Sequence, residues 1–306
     1  MMQGFHHSSR LEILLLLAFV PISAAQKVAI TFDDLPLNGD LPAGVSRVEI
    51  VRDTLAVLKR GHVPATYGFV NGKKLEGNAD AAEALKLWAA SEPVGNHTYS
   101  HMDLNANLAE AFEREVAENE PVLELVAAKN ANWHWLRYPF LREGDTVEKR
   151  RAVRAYLQAH QYRVAQVTLD WEDYAWNSAY ARCVGKNDAK SIAWLRSSYL
   201  DTASGYLDLG REMAKLVYGH DINHVLLLHL GAFSSTILPD VLDVLQKKGF
   251  QPVTLEEAQS DPAYEMDADA GSKYGGTLLE QWMDMKQIKY PAAAEKPLKE
   301  LQEVCR

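Results

Sequence analysis

The chain has 306 residues, 47% of them hydrophobic, and a formal net charge of -9. That length and apolar share are enough for one large domain or two small ones. The acidic balance argues against a protein held to nucleic acid by phosphate contacts, and no nucleic-acid partner is expected.

Residues 11–20 read LEILLLLAFV, followed by PISAAQ. The apolar run is too short to span a membrane comfortably. Ser23 and Ala25 stand at small-residue positions suited to signal-peptidase cleavage, which predicts a signal peptide over 1–25 and a mature start near Gln26. Only Arg10 is firmly cationic before the run, so an uncleaved anchor is the alternative. Either reading puts the chain outside the cytoplasm, secreted or periplasmic; after cleavage no stable membrane partner is expected.

From there strand-like and helix-like segments alternate, which predicts α/β architecture with a parallel sheet or barrel. KVAITF (27–32) reads as a buried strand, and residues 46–60 follow a helical period carrying Val48, Val51, Leu55 and Leu58, closed by Gly61. PATYGFV (64–70) is the next strand, 79–90 a helix, and PVGNHTYSH turns into a loop. A helix over about 107–129 contains Pro121, a candidate break or kink. Asp145 and Glu148 have capping-box spacing before a helix through VEKRRAVRAYLQAH. YRVAQVTLD (162–170) and HVLLLHL (224–230) read as strands, 238–249 as a helix closed by Gly249, and QPVTL as a last strand. Between two of these strands lies 172–222, one long or two shorter helices with Gly205 and Gly210 as candidate breaks. The tail after about Ser260 carries a possible helix near TLLEQWMDMKQI.

Several residues have chemical potential. Asp33 and Asp34 are adjacent carboxylates at the end of the first strand, and strand alternation sends them to different sides. His97 and His101 are four apart; with one carboxylate they would complete a ligand set for a catalytic zinc with an open position, though alone such a pair also fits two hydrogen-bonded surface side chains. His229 ends an apolar strand, where barrel enzymes keep catalytic groups, and imidazole is a good general acid near neutrality. Asp170 and Trp171 end another strand: the carboxylate can orient an imidazole, the indole can wall a sugar site or pack in the core. Arg137, in LRYPFLREG, can hold a carboxylate ionised. The other histidines (His62, His134, His160, His220 and His224) read as structural or solvated. Cys183 and Cys305 either form one bridge or remain two free thiols.

In order, these motifs run Asp-Asp, His-x-x-x-His, Arg-x-Pro-aromatic, Asp-Trp and Leu-x-Leu-His. From Lys27 to Gln259 the chain resembles the polysaccharide deacetylase family (NodB homology, carbohydrate esterase family four). The resemblance implies a distorted (β/α) barrel of fewer than eight strands over 26–260, with 172–222 as a helical insertion and 261–306 as a C-terminal tail. It implies a divalent metal, zinc by the ligand chemistry, held by Asp34, His97 and His101. Asp33 would be the catalytic base, paired with Arg137; the Phe140 backbone N–H would help bind the oxyanion. Asp170 would hold His229, the general acid, and Trp171 and Leu228 would line the acetyl pocket. The implied reaction removes the N-acetyl group of an amino-sugar glycan or oligosaccharide. A formyl amide, a cyclic amide, an O-acetyl ester or a catalytically dead carbohydrate-binding protein are the alternatives. The sequence departs from the family where Leu35 replaces the usual Gly, where extra residues follow Phe140, and where Val167 replaces an Asp. These departures are expected around the rim, with the altered substrate choice first at Leu35.

Overall fold

The structure, a computed structural model, describes residues 25–128 and 131–306. The expected signal peptide therefore lies outside the described residues, except for Ala25.

The first half of the chain lays down β1 (Gln26–Leu35), α1 (Arg47–Arg60), β2 (Gly68–Val70), α2 (Ala79–Ala89), β3 (Val94–Asn96), α3 (Ala109–Val126), β4 (Trp135–Leu136), α4 (Val147–Ala159) and β5 (Arg163–Val164). Then follow α5 (Tyr174–Gly185), α6 (Ala189–Tyr218), β6 (His224–His229), α7 (Ala232–Lys247), β7 (Phe250–Val253), α8 (Leu255–Ala258), α9 (Leu278–Met285) and α10 (Leu298–Glu303). The strands form one sheet in the order β5-β4-β3-β2-β1-β6, with β7 paired to the first residues of β1. Every pairing is parallel.

The sheet is curled. After β5 the chain crosses to the far edge, where Leu169 makes a parallel bridge to Leu226 of β6. That contact brings the two edges together and gives the distorted barrel the motif order implies. Alternation along β1 sorts its side chains: Val28, Ile30 and Phe32 join the core between sheet and helices, while Ala29 joins a second cluster with Phe69, Trp135 and Val225. Parallel strands with both faces covered hide their backbone inside the molecule and leave their C-terminal ends to carry the chemistry.

Several local expectations need correction. Strands β3 and β4 are only two or three residues long, too short to show a period, and were not foreseen. The strand expected over 162–170 shrinks to β5 and the single bridge at Leu169. Helix α4 is capped by Thr146, whose hydroxyl accepts from Lys149 N–H, whereas Asp145 forms an ion pair with Lys149. Helix α3 runs through Pro121 without ending there, and α7 starts at Ala232, not 238. Gly205 and Gly210 lie inside the uninterrupted 30-residue α6. They are points of close approach: a Cβ on Gly210 would come within 2.2 Å of Leu169 Cδ2, and one on Gly205 within 2.6 Å of Ala294 Cβ.

Cys183 in α5 and Cys305, just beyond α10, form a disulfide. Of the two readings of the cysteines, the structure takes the bridged one. Arg182 also donates to the carbonyls of Leu301 and Val304, so the chain end is tied to α5 twice.

Candidate active site

The C-terminal ends of the strands converge on a cavity of about 660 Å³. Asp33 and Asp34 come from the end of β1, His97 from the residue after β3, Arg137 from the residue after β4, and His229 from the end of β6. In the sheet register Asp33 is the direct partner of His229 on the neighbouring strand.

Both aspartates reach the same cavity, against simple alternation. Asp34 adopts a left-handed backbone with φ of 69°, and the β1–β2 register shifts between Phe32 and Leu35. That irregularity turns the second carboxylate toward the side the first already faces.

Asp33 is buried and held by Arg137, whose Nη1 donates to Oδ1 at 3.0 Å. Each of the other guanidinium nitrogens also has a partner: Nη2 donates to Thr31 Oγ1 and Nε to the Ala165 carbonyl, and Cζ lies 4.6 Å from the Phe69 ring centre. Burial raises the Asp33 pKa above the ordinary carboxylate value, and the Arg137 charge works against that rise.

Asp34, His97 and His101 each offer a ligand atom, all within 4.8 Å of one another. The histidines converge from a tight loop, not a helix: Thr98 and His101 are both left-handed, and Asn71 Nδ2 donates to the carbonyls of His97 and Thr98. His97 Nδ1 lies 2.8 Å from the Arg137 carbonyl. A carbonyl can only accept, so Nδ1 carries the proton and Nε2 keeps its lone pair for a ligand. Burial pushes the pKa of His97 down to about 3 and of His101 to about 4, which keeps both imidazoles neutral. Burial opposes ionisation of Asp34, but the charges of Lys74 and His229 outweigh it and hold the carboxyl well below its usual range. One carboxylate and two neutral imidazoles fit a divalent metal such as zinc.

His229 Nδ1 donates to Asp173 Oδ1 at 2.6 Å, and Asp173 Oδ2 accepts the His229 backbone N–H at 3.0 Å. Burial would lower the His229 pKa, but the Asp173 carboxylate prevails and raises it to about 9. The expected holder, Asp170, instead accepts the Glu172 N–H at 2.8 Å. Burial raises Asp170 to about 6 as it faces the cavity. The physical reason is the left-handed turn at Glu172 (φ 58°), after which Asp173 lies under the imidazole. Asp173 stands directly before α5 but makes no side-chain cap bond to it.

Two further expectations fail on alternation and packing. Leu227 lines the cavity and Leu228 does not; the two-residue period puts Leu227, not Leu228, on the face of His229. Trp171 is fully buried with its ring 5.9 Å from Tyr199, so it packs α6 onto the barrel and does not wall the site. Leu35 is fully buried too, in the main core against Gly68 and far from any rim role. Val167 is likewise buried. Phe140 does sit at the wall, left-handed, with its ring 54% exposed and 4.5 Å from that of His101.

Three groups of residues at the site went unforeseen. Lys74 forms an ion pair with Asp34 at 3.1 Å, and Asn38 Nδ2 donates to the same carboxylate at 2.7 Å. Glu172 and Tyr174, at the start of the helical insertion, line one side. The tail lines another, through Tyr274, Gly275, Gly276, Glu280, Tyr290 and Lys296 among others. No local motif marks these tail residues.

Residues 23–165 match the family model described as polysaccharide deacetylase. The chitin deacetylase of Arthroderma benhamiae is 22% identical over 236 residues, 77% of this chain and 52% of that protein, so the chain spans about half its length. The chitin deacetylase of Colletotrichum lindemuthianum is 24% identical over 245 residues, 76% of this chain and 79% of its own. Its solved structure superposes with a TM-score of 0.48 at 19% identity, covering 77% of this chain and 88% of that one. A chitooligosaccharide deacetylase of Rhizobium leguminosarum bv. trifolii is 32% identical over 113 residues, 37% of this chain and 46% of its own.

Proposed function

We propose that the chain is a member of the polysaccharide deacetylase family, whose model matches residues 23–165, and a metal-dependent hydrolase that removes the acetyl group from an N-acetylated amino-sugar glycan. The observation that carries this reading is the pairing of Asp33 and His229 across neighbouring strands, beside the Asp34–His97–His101 cluster. One position offers a carboxylate and the other an imidazole held protonated, which are the two groups that amide hydrolysis needs.

Asp34, His97 and His101 would hold the metal. When bound, such an ion acts as a Lewis acid on the acyl oxygen and brings the pKa of a water molecule toward about 7. Asp33 takes the proton from the attacking water. Arg137 keeps that carboxylate in place, since its other donors are committed to Thr31 and Ala165. The Phe140 N–H donates to the oxygen that gains charge, and one such donor is typically worth about 3 kcal/mol. His229, its Nδ1 engaged by Asp173, presents Nε2 to the departing nitrogen and protonates it. Acetate and a free amino sugar leave.

Export is part of the same reading. It is supported by the apolar run and small residues of 11–25 and by the Cys183–Cys305 bond, which favours an oxidising compartment.

The test is acetate release from N-acetylglucosamine oligomers, acetylated xylan and small amides, with chelator and with added zinc. Release from the oligomers that chelator abolishes and zinc restores is expected. Asp33→Asn should keep the metal, measured by elemental analysis of the purified protein, and lose turnover. Loss of the metal as well would overturn the division of labour between the two aspartates, and release only from xylan would move the substrate to an O-acetyl ester.

A further inference from the structure

The region that carries the motifs ends near Gln259, yet the cavity continues into the segment after it. That segment is pinned on the Phe140 side. Gly275 has φ of 79°, and a Cβ there would come within 2.7 Å of the Phe140 carbonyl oxygen and 2.9 Å of that of Leu141. Only glycine lets the strap lie this close to the turn that holds Phe140. Asn105 Nδ2 donates to the Ser272 carbonyl, Leu278 N–H to the Val167 carbonyl, and Gln281 Nε2 to the buried Glu143. On the opposite side Lys296 pairs with Glu172, and Ala294 lies against Gly205 of α6. The strap therefore crosses from one wall of the cleft to the other.

Two of its aromatic side chains stay open. Tyr274 is 78% exposed, immediately before the pinned glycine, and lines the cavity. Tyr290 is 43% exposed, its hydroxyl fixed by donation to Asp284 Oδ1 at 2.7 Å. Phe140 is an exposed residue with its ring 4.5 Å from that of His101, and Tyr274 lines the same cavity one residue before the glycine that packs on the Phe140 carbonyl. Single exposed rings are common on protein surfaces; this one is set apart by lining the cavity beside a pinned glycine. A ring at a cavity mouth, held by a rigid backbone, presents an apolar face with a polar tip to a ligand.

We propose that the strap builds a second sugar position beside the reacting one, with Tyr274 as its platform, so that the protein favours oligomers of at least two amino-sugar units over the monosaccharide. This inference rests on the glycan reading of the site. It assigns to residues 272–296 a specificity role that the matched stretch 23–165 does not contain.

The experiment measures kcat/KM for acetate release from the N-acetylglucosamine monomer and tetramer, in the wild type, Tyr274→Ala and Tyr274→Trp. The wild type should prefer the tetramer. Tyr274→Ala should lower the tetramer-to-monomer ratio about tenfold, the scale of one good aromatic contact, with the loss falling on KM. Tyr274→Trp should keep the ratio. Because Tyr274 is mostly exposed, the melting temperature of Tyr274→Ala should match the wild type. A wild type active on glycans whose ratio is unmoved by Tyr274→Ala overturns the strap subsite and leaves the site reading standing. A wild type that releases no acetate from any N-acetylated glycan overturns both.

Discussion

At the scale of single residues, the carboxylate beneath His229 decides how the site responds to pH. Asp173 raises the His229 pKa to about 9, so the imidazole is protonated at neutrality and loses its proton as the pH climbs through that value. The same pair contributes to folding stability fully below about 6.5, the ordinary histidine pKa, and the contribution disappears as the pH rises through about 9. Activity that depends on His229 as an acid should fall along the same alkaline limb. In Asp173→Asn burial, which lowers the pKa, is opposed only by the Asp34 and Asp33 charges, which rank below the Asp173 contribution. The limb should move to lower pH, read from kcat against pH, with kcat reduced at neutrality. Asp170→Asn should leave the limb near 9. The reverse pattern would return the role to Asp170. Arg137 offers a second test at this scale. Arg137→Ala leaves Asp33 buried without its partner, which typically costs about 3–5 kcal/mol, measured by denaturant unfolding at neutral pH. Asp33, Asp34, Asp170 and His229 were legible because they stand at the ends of apolar runs, and His97 and His101 by their four-residue spacing. Their mutual contacts were less so: which acid holds His229, and which leucine shares its face, depend on a left-handed turn at Glu172 and on strand parity.

At the scale of elements, the long helix α6 shows why a glycine cannot be read without its neighbours. Two glycines in a helical stretch look like breaks from sequence alone, since glycine costs a helix about 1 kcal/mol relative to alanine. In the fold Gly210 is the place where α6 touches Leu169, the residue that bridges to β6 and closes the curled sheet. Gly210→Ala would thus gain helix propensity and lose more by forcing the buried Leu169 aside, where overpacking typically costs about 1–3 kcal/mol. A net loss of stability is expected in thermal or denaturant unfolding, with reduced turnover because Asp170 follows Leu169 directly. A stabilised variant would mean that Leu169 repacks freely. The short strands β3 and β4 were hard to foresee, and β5 keeps only two residues of the strand expected over 162–170, for a related reason. Two or three residues carry no period, and their strand character comes from neighbours already in the sheet. Long segments such as β1, α1 and β6 declare themselves, because enough side chains repeat on one face.

At the scale of the whole molecule, the chain closes its own cleft with its last fifty residues and then fastens the end. The strap's ties are to residues more than a hundred positions away, such as Asn105, Glu143 and Glu172. No local pattern encodes such distances, so the tail stayed uninformative in the sequence while the motif-bearing strand ends did not. The disulfide is the last of these ties. Its cysteines are 122 positions apart, and a loop of that length restricts the unfolded chain by about 4–5 kcal/mol in the chain-entropy account. Cys183→Ser and Cys305→Ser should therefore each lower the denaturant midpoint, and the double variant should lose little more than either single one because all remove the same bond. The metal cluster should survive. Asp34 lies in β1, and His97 and His101 follow β3; both strands are rooted in the sheet, so zinc content should equal that of the wild type. Loss of zinc on removal of the bond would mean that the strap supports the cluster directly, and the site would then depend on the chain's far end for its chemistry as well as for its outer wall.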